Sequence, residues 1–204
     1  MVRRHGPRHL ANGEIIYGTS WENWDFGMLY WVNNGANTEK PKWVGEDVRE
    51  VWEETMKNSD GTEYTTHLVN GLICQAQLTK ISPNGKWIAS SYRTETPAED
   101  RLSIVTTQTA AFYNTETETT TIVSDYGESV GVHVTDDGIG FIGIGTLGIS
   151  SGAVYDLNTG TDLGSTQDWV YDNYGIIIPA GYINYVSADG RFVLGTKAES
   201  SQVG

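Results

Sequence analysis

Short apolar runs separated by Gly, Asn and Asp recur along the whole chain. Four segments share one pattern: His9 to Gly18, Ile81 to Ser90, Val134 to Gly143 and Val186 to Gly195. Each places Asn or Asp directly before a glycine and an apolar run after it. Asx-Gly supplies the positive φ angles of a tight hairpin turn at little steric cost, and the flanking apolar residues make the two strands. The turn glycines Gly13, Gly85, Gly138 and Gly190 are 72, 53 and 52 residues apart. The last two intervals match one four-stranded blade of roughly 40–50 residues, and the first carries an insertion. In three of the four segments a second glycine follows five residues after the first, with Ser90 in that place in the other. Such a glycine is expected where neighbouring units approach closely.

The second half of each unit is also visible. Gly152 to Gly160 reads as a strand ending in a turn, Ala111 to Val123 as strand, turn and strand, and Met28 to Gly35 fits the same slot in the first unit. The insertion holds one predicted helix, from Glu46 to Lys57, with Val44, Val48, Val51, Trp52 and Met56 at helical spacing and Ser59-Asp60-Gly61 ending it. Glu46 and Asp47 suit the dipole of its first turn. The expectation is therefore all-β: a β-propeller-like array of four-stranded antiparallel blades, three complete and one partial, with one short inserted helix. It forms a single domain over residues 1–204, with repeats starting near 9, 78, 131 and 183. A closed propeller takes about four to eight blades, so the array is expected to be a piece of a longer chain.

Ile81-Ser-Pro-Asn-Gly-Lys-Trp-Ile-Ala-Ser90 resembles the strand-turn-strand of Tol-type and WD-type propellers, and Val186-Ser-Ala-Asp-Gly-Arg-Phe-Val-Leu-Gly195 is similar to extracellular repeats of the HAF type. The Gly-His and Trp-Asp signatures of the WD type are absent. The resemblance implies a propeller fold and a bacterial, extracytoplasmic location, in the periplasm or at the cell surface. Propellers host many activities, so the expected function is a non-enzymatic module for binding or scaffolding. The alternative is an accessory propeller of a peptidase or carbohydrate-active enzyme whose catalytic part lies outside this chain. A third reading is a propeller lyase or glycosidase with carboxylates in the channel.

Charge and composition narrow the partners. With 26 acidic against 13 basic residues the net charge is −13, which opposes binding to nucleic acid and to anionic lipid. Protein or glycan partners remain. Cys74 stands alone in an apolar setting, which excludes an internal disulfide and any multi-cysteine metal site. No apolar run approaches the roughly 18 residues of a membrane-spanning helix.

Several motifs invite a chemical reading. Gly143-Ile-Gly-Thr-Leu-Gly148 satisfies the dinucleotide pattern, but Ile149 onward reads as turn and strand where a helix must open. Gly148-Ile-Ser150-Ser-Gly152 satisfies the nucleophile elbow, yet no histidine follows His133. Asp156, Asn158 and Asp162 alternate as calcium ligands do, without the closing glutamate, and read as a turn between outer strands. His5, His9, His67 and His133 are scattered without ligand spacing. No catalytic residue, metal site or cofactor is expected. The densest aromatic cluster is Trp21-Glu22-Asn23-Trp24-Asp25-Phe26. Indoles beside carboxylates and an amide suit stacking and hydrogen bonding to sugars, so Trp21, Glu22, Asn23, Trp24 and Asp25 form the candidate ligand-binding loop; aromatic filling between blades is the competing account.

Overall fold

The Asx-Gly turns at Gly85 and Gly138 build hairpins, and hairpins build the sheets. The computed structural model describes residues 8–9, 15–22, 25–32, 42–73, 80–145, 151–187 and 191–197. The protein is mostly β, and among the described residues all strand pairs are antiparallel. The first sheet runs in chain order through β1 (Arg8–His9), β2 (Ile15–Glu22), β3 (Asp25–Val32) and β4 (Lys42–Trp43). The second contains β5 (Glu50–Lys57), β6 (Glu63–Ile73), β7 (Lys80–Ile81), β8 (Trp87–Pro97), β9 (Ile104–Asn114) and β10 (Thr119–Val123), in the order β10-β9-β8-β6-β5 with β7 also on β8. The third is β11 (Ser129–Val134), β12 (Ile139–Ile144), β13 (Ser151–Asp156) and β14 (Thr161–Ser165), again in chain order. Helix α1 (Thr166–Tyr174) leads to the hairpin of β15 (Gly181–Val186) and β16 (Val193–Lys197).

The repeat is written in the hydrogen bonds of three hairpins. Ser82 N–H donates to the Trp87 carbonyl at 2.8 Å, Thr135 N–H to that of Ile139 at 3.0 Å, and Ser187 N–H to that of Phe192 at 2.9 Å. In return the hydroxyls of Ser82, Thr135 and Ser187 accept from the N–H groups of Trp87, Ile139 and Phe192 at 3.0, 3.0 and 2.9 Å. Trp87, Ile139 and Phe192 are thus equivalent, although the turn in the third sheet is one residue shorter. The Cα partners agree: Ile81 with Ile88, Val134 with Gly140, Val186 with Val193. Gly85 and Gly138 take φ values of 78° and 85°, which glycine adopts without the penalty a Cβ brings. Gly13 and Gly190 lie outside the described residues.

Matching registers aim equivalent side chains in the same direction. Trp87 and Ala89, with Ala110 and Phe112 of β9, pack onto Val134, Ile142 and Ala153 of the third sheet. The intervening Ile88, Ala111 and Tyr113 point the opposite way, onto Val44 and Leu72. On the third sheet Phe141 and Val154 face onward, onto Val170, Ile183 and Val186. Second, third and fourth sheets are therefore stacked face to face, and the middle ones bury both surfaces. This explains why their strands read as continuous apolar runs. Burying each of Phe112, Phe141 and Ile142, all 0% exposed, stabilises by about 1.5–3 kcal/mol. Close approach between the second and third sheets falls on glycines other than those expected, at Gly140 and Gly131. A Cβ on Gly140 would lie 2.8 Å from the Phe112 ring, and one on Gly131 2.7 Å from the Ser90 carbonyl oxygen.

The helix expected over Glu46–Lys57 is absent. A single 3-10 turn at Glu46–Val48 gives way to β5, which pairs with β6 from Glu50 opposite Asn70 to Lys57 opposite Glu63. Burial along β5 alternates, with Trp52, Glu54 and Met56 covered and Val51, Glu53 and Thr55 exposed. The period is two, and β-branched and aromatic residues favour the pleated form. Ser59-Asp60-Gly61 ends a strand instead of a helix: Asn58 N–H donates to Thr62 O at 2.8 Å, and Gly61 has φ 85°. Among the described residues the α-helix is α1. Ser165 Oγ caps it by accepting from Asp168 N–H at 3.1 Å, and Gly175, φ 67°, closes it with an N–H to the Tyr171 carbonyl at 2.8 Å.

The β5–β6 ribbon joins β8 only where Gly71, Leu72 and Ile73 face Arg93, Tyr92 and Ser91. Farther out, side chains replace the ladder. Glu95 N–H donates to Asn70 Oδ1 at 2.9 Å, Val69 N–H donates to Glu95 Oε2 at 3.0 Å, and Arg93 pairs with Glu95 at 2.5 Å. At the tip, Arg101 donates to Glu54 Oε1 and to the Thr55 carbonyl, both at 2.8 Å.

Candidate functional site

The candidate loop at Trp21–Asp25 falls across the β2–β3 connection. Trp21 and Glu22 end β2 and Asp25 opens β3, with Trp21 opposite Phe26 and Glu22 opposite Asp25 in the ladder. Asn23 and Trp24 lie outside the described residues. The register puts Glu22 and Asp25 at one end of a hairpin, one pair beyond Trp21 and Phe26.

A second concentration of polar groups sits at the turn end of the stacked sheets. Asp136 Oδ1 accepts from Asn84 N–H at 2.8 Å, tying the turn of the third sheet to that of the second. Asn84 Oδ1 accepts from Ser82 Oγ at 2.8 Å and from Lys86 N–H at 2.9 Å. Thr135 Oγ1 donates to Asp137, and Asn158 Nδ2 donates to the Asp137 carbonyl at 2.6 Å. Hydrogen bonds from Thr159, and from Asn158, hold the Asp156 carboxyl below its ordinary range. All three carboxylates accept from backbone, amide or hydroxyl donors, and Asp156, held in its ionised form, has no proton to give at neutral pH. The chain between Asp156 and Asp162 is the β13–β14 turn, as its spacing suggests. Among the described residues no three His, Cys, Asp or Glu side chains come together as a metal-binding group.

Among the described residues His133 is the imidazole that the fold buries, 2% exposed on β11. The sequence places it on an inner strand without saying what it meets. Its Nε2 accepts from the Val186 N–H at 3.0 Å, across the boundary between the third and fourth sheets. The ring lies between Phe141 and Tyr185, at centroid distances of 5.8 and 5.4 Å. Burial lowers its pKa to about 4, nearby Lys80 pushes the same way, and Asp136 opposes them. Protonating Nε2 would also set two donors head to head. The geometry fits a neutral structural histidine and gives no open face to a substrate.

The two tempting glycine motifs end in strand. β12 stops at Ile144 and β13 starts at Ser151, so no helix opens after Gly148 to receive a pyrophosphate or to carry an elbow. Residues 146–150, Ser150 among them, lie outside the described residues. What sequence reasoning missed is a groove of about 560 Å³ between the end of α1, the segment around Ile176 to Pro179, and the β15–β16 hairpin. Its lining includes Val170, Tyr174, Ile178, Tyr182 and Phe192, and its one charged residue is Arg191. The signal was available in Ile176-Ile-Ile-Pro179, an apolar run outside any strand or helix.

No protein-family model matches the chain, and a comparison with curated proteins finds no relative.

Proposed function

We propose that this chain is part of a β-propeller that binds or scaffolds a protein or glycan partner and does not itself catalyse a reaction. The observation that carries the reading is the stack. Three successive hairpins repeat one hydrogen-bond pattern, and in the second and third sheets the equivalent side chains pack onto the sheet that follows. Radial repetition of such sheets, each touching its neighbours, is the propeller principle. The similarity of Ile81–Ser90 to Tol-type repeats and of Val186–Gly195 to HAF-type repeats supports an extracytoplasmic bacterial setting.

The binding side of the reading rests on chemistry. The carboxylates and hydroxyls at the turn end are committed to turn geometry, and the buried imidazole is committed to Val186. For a sugar, the Trp21–Asp25 hairpin offers two indoles, two carboxylates and an amide in five residues. The test is a glycan-array and peptide-array screen of the whole chain, run beside a fluorophosphonate probe and a panel of chromogenic glycosides. The expected outcome is binding without turnover, with a glycan signal that falls in Trp24→Ala. Turnover of any glycoside, or labelling of Ser150, would overturn it.

A further inference from the structure

We propose that Lys80, His133 and Tyr185, which hold one register position on the inner strands of three successive sheets, form a binding site for a small ligand that carries a single carboxylate. The site shares no residue with the Trp21–Asp25 hairpin, so it stands or falls apart from that reading.

The hairpin register carries the argument. Lys80 on β7 lies opposite Ala89, His133 on β11 opposite Phe141, and Tyr185 on β15 opposite Leu194. Each stands one residue before the last paired residue of its strand, which is Ile81, Val134 or Val186. In the first sheet Arg8, opposite Tyr17, holds the same place. A chain with 26 acidic and 13 basic residues thus puts Arg, Lys, His and Tyr at this position in its four units, and a carboxylate in none. Strands β7 and β15 both lie against β11, so the last three of these positions are neighbours.

The three side chains are donors that lack acceptors. His133 Nε2 accepts from the Val186 N–H at 3.0 Å. A neutral imidazole carries one hydrogen, and with Nε2 accepting it sits on Nδ1. The residue is buried, and no described group accepts that hydrogen. A buried donor without an acceptor is costly, and a ligand oxygen would satisfy it. Phe141 and Tyr185 lie against the ring, so the Nδ1 edge is what a ligand meets. Lys80 is half-buried and pairs with no described carboxylate. Its charge acts on the His133 ring from the second sheet. Asp136 acts on the ring too, but its Oδ1 is taken by the Asn84 N–H at 2.8 Å. The Tyr185 hydroxyl has no hydrogen-bond partner among the described residues, and its ring centroid lies 5.4 Å from that of His133. The set therefore presents one positive charge and several donors. A carboxylate answers it with one negative charge and two accepting oxygens, whereas a phosphate dianion calls for more cationic donors than Lys80 supplies.

The experiment is an NMR titration of the full chain with sodium acetate at about pH 7.5, where the ring is neutral. Sodium chloride at equal ionic strength and inorganic phosphate are separate arms. Acetate is expected to move the His133 Nδ1 signal saturably, and chloride to leave it in place. Lys80→Met should weaken acetate binding by about tenfold or more, as the loss of a charge-assisted hydrogen bond. Tyr185→Phe should weaken it by about twofold to tenfold. Lys80→Arg keeps the charge and should retain binding. Lys80 is half-buried without a partner, so its variants should keep the parent's circular dichroism. Trp24→Ala should leave the acetate midpoint unchanged, which separates this site from glycan binding at the hairpin. A Nδ1 signal that acetate does not move, or that chloride moves as far, overturns the proposal. So does phosphate binding tighter than acetate, and so does a Lys80→Met variant that binds acetate as the parent does.

Discussion

Acid should loosen the joint between the third and fourth sheets through one side chain. His133 is neutral in the fold, with a pKa lowered to about 4 against an ordinary 6.5, and burial is the main cause. Its Nε2 holds the Val186 N–H at 3.0 Å. The unfolded chain takes up a proton on this ring below pH 6.5 and the folded chain does not until about pH 4. The unfolded state therefore binds more protons in that window, and stability falls as pH falls. The contribution is complete above pH 6.5 and is lost progressively down to pH 4. At about 1.4 kcal/mol per pKa unit the whole window amounts to about 3 kcal/mol, and the loss between pH 7.5 and 5.0 to about 2 kcal/mol. Urea unfolding at those two pH values measures it, with His133→Gln as the control. Glutamine keeps an acceptor near Val186 and removes the titration. The parent should lose about 2 kcal/mol more than the variant between the two pH values. A second readout is the imidazole carbon shift of His133, which should hold its neutral value at pH 5. Equal losses in parent and variant, or an imidazole that titrates near 6.5, would refute the account.

Two further outcomes test the packing and the ribbon. Gly140→Val places a side chain against the Phe112 ring, which a single added Cβ already approaches to 2.8 Å, and should cost about 1–3 kcal/mol as overpacking, read by chemical denaturation; a neutral change would mean that the second and third sheets separate more easily than the contact implies. Glu95→Ala removes the acceptor of the Val69 N–H and the partner of Arg93 and should cost about 2–3 kcal/mol, with faster amide exchange confined to β6 and the outer half of β8; unchanged exchange at Val69 would show that its bond to Glu95 is not formed in solution.

The parts of the fold legible in sequence are those that short-range chemistry dictates. Asx-Gly before an apolar run marks Gly85 and Gly138 because only a few residue types tolerate the required φ, and both turns stand where that pattern puts them. The β13–β14 turn is legible for the same reason, since Asp156 serves the N–H groups of Asn158 and Thr159. The Glu46–Lys57 segment misled because its apolar residues fit a helical face almost as well as alternation, and only pairing with β6 decides between them. Helix α1 went unread because Thr166 and Val170 alone are buried on it, too little to make a periodic stripe; its signals were local, Ser165 at the cap and Gly175 at the end. The partner of His133 was beyond reach, because Val186 is 53 residues away and reaches it only through the stacking of two sheets. Of the candidate sugar site, the sequence supplies residue types and the ladder supplies the pairing of Glu22 with Asp25.

The turn of the third sheet, shorter by one residue, governs how copies of this unit must be aligned and exchanged. Superposing the units on their glycines would match Trp87 with Gly140 and Ile88 with Phe141, which sends every side chain of one copy to the wrong surface. The hydrogen bonds instead demand a gap opposite Lys86, between the glycine and the returning strand. A profile that tolerates no gap there scores inward residues against outward ones and sees little likeness between units that share one architecture. Length variation confined to that point is harmless to the sheet, whereas the same single residue added inside β8 or β12 would invert its pattern.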